Sequence, residues 1–124
     1  MLPREARLTR PEDFRRVRAE GRSWAHPMLV LCRLPNGREV TRFGFSVSGR
    51  LGGAVVRNRV KRMVSEAVRL QYDLVEPGWD VVFIARRGII GARWEAVTTA
   101  VNQLLARAHL YATEVTTQAD RRTA

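Results

Sequence analysis

Between Ala54 and Arg69 the chain reads AVVRNRVKRMVSEAVR, with apolar side chains recurring at the period of one helical face. At about 100° per residue, Val56, Val60, Met63, Val64, Ala67 and Val68 fill a single arc of about 140°. A strand could not do this, because Met63 and Ala67 would point away from the other four. The stretch is therefore a helix with a face that must be buried, and the rest of the chain has to supply a core for it. The opposite side carries Arg59, Lys61, Glu66 and an outward ridge of Asn58, Arg62, Ser65 and Arg69 at i, i+4, i+7 and i+11. Arg57 sits at the margin of the apolar arc, near the helix start. Neighbours along such a ridge are about 6 Å apart, a spacing that suits phosphates of folded RNA. Asn58 adds a directional hydrogen bond to a sugar or base edge.

The charge balance points the same way. The chain holds 22 basic and 12 acidic residues, a net +10. Seven basic residues and one acid, Glu66, lie between Arg42 and Arg69, so +6 is concentrated in 28 residues and +4 is spread over the other 96. A charge kept for solubility alone would not gather in this way. It forms a local patch for a polyanion, meaning nucleic acid or an anionic membrane surface. The membrane reading is the weaker one, because the apolar face of the basic helix is needed for the core. Arginine's fork suits phosphate, but the near absence of lysine (only Lys61) also fits coding bias.

The remaining elements follow from pattern and punctuation. Thr9-Arg10-Pro11-Glu12 has the form of a capping box, opening a short basic helix over about 10–19 that Gly21 ends. Met28 to Leu34 is a buried strand. Pro35-Asn36-Gly37 is a turn, and Arg42 to Val47 returns as a strand, so the two are expected to pair as a hairpin. On that second strand Phe43, Phe45 and Val47 share one face, Gly44 and Ser46 the other. Gly49, Gly52 and Gly53 loop into the basic helix, where free amides and the helix dipole make an anion site conceivable. Trp79 to Ala85 is another buried strand, and Ala92 to about His109 a helix with a core stripe from Trp94 to Ala108. The order helix, two or three strands, helix, strand, helix gives one α+β domain over 1–110, three helices packed on a small, mainly antiparallel sheet. Residues 111–124 read as a polar, disordered tail.

Chemistry by this chain alone finds little support. Cys32 is single, and His26 and His109 have no partner at ligand spacing, so neither a nucleophile nor a metal site is indicated. Asp80 reads as structural or solvated. A lone cysteine and the lack of an apolar leader fit a cytoplasmic protein. Trp79, Trp94, Phe43 and Phe45 read as core, whereas Phe14 and Trp24 read equally as core or contact residues. Two nucleic-acid readings stay open at this point: a structural RNA-binding protein such as a ribosomal or assembly factor, and a DNA-binding regulator. The last lacks a helix-turn-helix pattern.

The segment SVSGRLGGAVVRNRVKRMVSEAVR resembles the signature of the bacterial ribonuclease P protein family, whose core is Arg-Asn-Arg followed by Lys-Arg. PEDFRRVRAEGR and GWDVVFIARRG are similar to that family's first helix and last strand, so the resemblance spans about residues 8 to 110. It implies the small, non-catalytic subunit of an endoribonuclease that removes the 5′ leader from precursor tRNA. A large RNA using Mg²⁺ is the catalyst, and the protein itself binds no cofactor. The family fold carries a left-handed β-α-β crossover. The implied contacts to the catalytic RNA are Arg57, Asn58, Arg59, Lys61, Arg62 and Arg69. The implied leader cleft, between the first helix and the sheet, takes in Phe14, Arg15, Arg18, Arg42, Ser46, Ser48 and Arg50. Such a protein is expected to be monomeric by itself. The chain departs from the family pattern at Arg18 and Cys32, where aromatics are common, at Gly49, which replaces a usual lysine, and at Ser65, where Arg is common.

Overall fold

The computed structural model describes residues 2–112, so nearly all of the expected tail lies outside the described residues. Three helices, α1 (Pro11–Glu20), α2 (Ala54–Gln71) and α3 (Trp94–Arg107), pack on four strands, β1 (Arg22–Ala25), β2 (Leu29–Pro35), β3 (Arg42–Ser46) and β4 (Trp79–Ala85). The sheet order is β1-β2-β4-β3, with β3 parallel to β4 and the other pairs antiparallel.

Strand alternation splits the molecule into two cores. Leu29, Leu31, Phe43, Val81 and Phe83 point to one face and are sealed by Val60, Val64, Ala67 and Val68 of α2 and Val97, Val101, Leu104 and Leu105 of α3. Cys32 and Val82 point to the other face, where Leu8 and Val17 meet them; Val30, Ile84 and Phe14 are only partly buried there. α1, at 10 residues, is too short to cover that face. The difference matters, because one side of the sheet is closed and the other is left as a cleft.

The structure corrects the expected pairing. β2 and β3 form no hairpin; β4 lies between them, and the hairpin is β1–β2. β4 buries Val81, Val82 and Phe83, apolar on both faces, so it is stable only in the interior of a sheet. Residues Asn36 and Gly37 do turn the chain, but Asn36 donates its N–H to the Gly78 carbonyl (2.9 Å) and so ties the turn to the start of β4. The route from β3 to β4 is therefore a parallel crossover through α2.

Two further expectations fail locally. α1 begins at Pro11 with Arg10 as its cap and no side-chain capping bond. Glu12 is then the second helical residue, not the third, and the Thr9 capping box is not made. Trp94 opens α3 and is 36% exposed; the helix reaches the core only from Val97 onward.

Candidate nucleic-acid interface

A network of ionised groups fixes α1 over the sheet. Asp80, 1% exposed, accepts hydrogen bonds from Arg42 Nε (2.8 Å), Arg42 Nη2 (2.7 Å) and Asn36 Nδ2 (3.0 Å). Arg16 of α1 reaches the same carboxylate at 3.5 Å and Asp13 at 2.9 Å, while Asp13 also faces Arg42 at 3.8 Å. The helix is thus held to the β3 and β4 starts by alternating charges. Burial pushes the Asp80 pKa up, but hydrogen bonds from Arg42 and Asn36, together with the Arg42 and Arg16 charges, outweigh it and hold the group below its ordinary value. The Arg42 pKa is raised, chiefly by its hydrogen bond to Asp80. Bidentate pairing commits two of the five N–H donors of Arg42 to Asp80, and with its side chain only 14% exposed Arg42 is the least accessible of the candidate cations in the cleft.

The cleft floor is therefore less cationic than residue counting suggests. Phe14 lies half-buried over β3, and Arg15 and Arg18 of the same helix are exposed. Arg18 is near enough to the Cys32 thiol to draw its pKa down, although burial dominates and raises it. Ser46 is half-buried on the cleft side of β3. Ser48 is committed locally, its Oγ accepting from the Arg50 backbone N–H at 3.1 Å, and Arg50 itself is exposed. Gly44 was no candidate, yet the cleft depends on it: a Cβ there would lie 2.5 Å from Phe14 Cζ and 3.2 Å from Leu8 Cβ. Gly44→Ala is expected to displace Phe14 and to cost about 1–3 kcal/mol of stability, read by thermal unfolding and by a shift of the Phe14 ring resonances.

The second surface is α2. Glycine at position 52 permits its start, since φ is +151° there and a Cβ would meet Val56 at 2.8 Å. From that start the buried valines set the rotation of the helix, and Asn58, Arg59, Lys61 and Arg62 emerge exposed. Among the described residues none of Arg57, Arg59, Lys61 and Arg62 is in an ion pair. Arg57 is half-buried, and its Nε is buried with no hydrogen-bond partner in the described structure. Arg69 differs: its Nε lies 3.0 Å from both carboxylate oxygens of Glu66, one turn earlier. The strongest free charge is therefore in the first half of the helix. Sequence reasoning missed Asp13, Arg16 and Asn36 as residues that shape the site; Glu66 and Arg69 could have been paired from their i, i+3 spacing.

Among the described residues no group of three or more His, Cys, Asp or Glu could hold a metal ion, and no helix is long and apolar enough to cross a membrane. The family model for ribonuclease P matches residues 2–109. The ribonuclease P protein component of Herpetosiphon aurantiacus is 51% identical over 110 residues, 89% of each chain. Two solved structures share the fold. The Staphylococcus aureus RNase P protein superposes with a TM-score of 0.80 at 27% identity, over 86% of this chain and 98% of that one. The Thermotoga maritima protein gives 0.76 at 30% identity, over 82% and 96%.

Proposed function

Since the chain belongs to the ribonuclease P protein family, we propose that it works by docking α2 on the catalytic RNA while the cleft beside α1 receives the 5′ leader of precursor tRNA. It is the protein component of a tRNA-processing ribonucleoprotein. In the proposed division of labour the RNA, with Mg²⁺, carries out cleavage, and this chain supplies binding energy and charge.

The observation that carries the docking assignment is the two-sided α2. Val60, Val64, Ala67 and Val68 are buried, whereas Arg59, Lys61 and Arg62 are exposed and unpaired among the described residues. Cations that serve fold stability usually sit in ion pairs; among the described residues these do not. Arg57, Asn58, Arg59, Lys61 and Arg62 then make the RNA contacts, and the Arg69–Glu66 pair marks where that strip ends. In the cleft, Phe14 offers an aromatic face for a base, while Arg15, Arg18 and Arg50 follow the leader backbone. Ser46 lines the floor. Ser48 acts indirectly, by shaping the turn that presents Arg50. Arg42 holds α1 in place through Asp80 and does not itself contact the leader.

Binding of precursor and mature tRNA by the assembled particle tests the leader assignment. Precursor should bind more tightly, and Phe14→Ala should remove most of that difference while mature tRNA affinity stays the same. Equal affinity for both tRNAs in the unaltered particle would falsify the leader role.

A further inference from the structure

At the open edge of the sheet, Phe45 offers a ring and outward backbone groups that neither proposed surface uses. β3 is the edge strand, and its outer side is covered only at the start, where the Leu8 N–H donates to the Phe43 carbonyl at 2.8 Å. Backbone groups alternate along a strand, so Phe45 directs its N–H and C=O to the same outer side as Phe43. Among the described residues nothing bonds to them. The Phe45 ring is stacked on Phe83 (centroids 6.2 Å apart, planes 7° from parallel) and lines the floor of a groove between β3 and α2. The groove holds about 530 Å³ and is walled by Lys61, Arg62, Ser65 and Glu66. A second hollow, bounded by Leu8, Thr9 and Phe14, shares Phe45, Lys61 and Ser65 with it. The depression therefore runs from the α1 side of the molecule to the free-charge half of α2.

We propose that this groove takes one unpaired nucleotide of the catalytic RNA, its base against Phe45 and its phosphate on Lys61 and Arg62. The proposal rests on the docking of α2 and goes beyond it by adding a non-electrostatic contact. Its occupant follows from three features. The floor is the aromatic ring of Phe45, which suits a base. Lys61 and Arg62 at the rim are exposed and unpaired among the described residues, and the one acid, Glu66, is engaged by Arg69 at 3.0 Å. A strand whose phosphates lie on Arg62 passes directly over the opening, so the bound nucleotide belongs to the RNA on which α2 rests. The outward N–H and C=O of Phe45 can read a base edge. Ser65, being small, keeps the entrance open.

The test measures affinity for the catalytic RNA against salt concentration, with Phe45→Leu, Ser65→Leu and Phe45→Trp. Phe45→Leu keeps apolar volume but removes the ring, and Ser65→Leu closes the entrance from a half-buried position on α2, so the two variants perturb the groove from different elements. Each should weaken binding about tenfold without changing the slope of log K against log salt, because no phosphate contact is removed. Phe45→Trp should restore most of the loss. Chemical probing should show one unpaired nucleotide protected by the unaltered protein and exposed with Phe45→Leu. Unchanged affinity in both leucine variants overturns the groove while leaving α2 docking intact. A loss confined to precursor tRNA binding overturns the choice of RNA. No binding by the unaltered protein overturns both the groove and the docking it rests on.

Discussion

Replacing Arg57, Arg59 and Arg62 together by alanine is expected to weaken binding to the catalytic RNA by about two to three orders of magnitude. Each charge-assisted phosphate contact is worth roughly 1–1.5 kcal/mol at a partly solvated site, and about 1.4 kcal/mol is a factor of ten. The same variant should make the slope of log K against log salt shallower by about three, one unit for each lost phosphate contact. The fold should survive, since Arg59 and Arg62 are exposed and alanine favours helix. Circular dichroism would show unchanged helix content. Replacement by lysine at all three positions should keep the slope and recover only part of the affinity, because the ammonium group loses the fork geometry. A variant that unfolds, or one whose slope does not move, would show these arginines to be structural.

Asp80→Ala should be the most destabilising single change on the cleft side. It leaves Arg42, whose side chain is only 14% exposed, without its bidentate partner. Breaking one side of a buried pair costs about 3–5 kcal/mol, enough to lower the melting temperature of a domain this size by more than about 10 °C. Adding Arg42→Met should recover a substantial part of that loss, since no uncompensated charge then remains. The pH dependence carries a sign. The folded-state pKa of Asp80 lies below the ordinary value of 3.8, so its contribution is complete above about pH 4 and is lost as pH falls through the lowered value. Urea unfolding between pH 7 and pH 2 should therefore show the unaltered protein losing more stability below pH 4 than Asp80→Asn does. Parallel curves would remove Asp80 from this role.

What could be read in the sequence divides along physical lines. α2 was legible because its two faces are written in adjacent turns, and β4 because an unbroken apolar run allows only an interior strand. β1 was not, since Arg22, Ser23 and Ala25 are exposed and only Trp24 is half-buried. The pairing of β2 with β4 depends on a strand some fifty residues away, which the local turn at Asn36 and Gly37 cannot reveal. The same applies to charge. Counting placed Arg42 among the free cations, yet Asp80, 38 positions later, takes it up. Arg69 was counted as free despite Glu66 lying within its own helix. The family resemblance implies both surfaces; the coordinates add which of their arginines are already engaged within the protein.

Cleavage of precursor tRNA by the cognate catalytic RNA at limiting Mg²⁺, measured with and without this chain, addresses the central assignment most directly. With α2 supplying cations to the RNA and the cleft holding the leader, cleavage should be fast only when the protein is present, and the Mg²⁺ requirement should rise again with the triple arginine variant. Equal rates with and without the protein under that condition would contradict it.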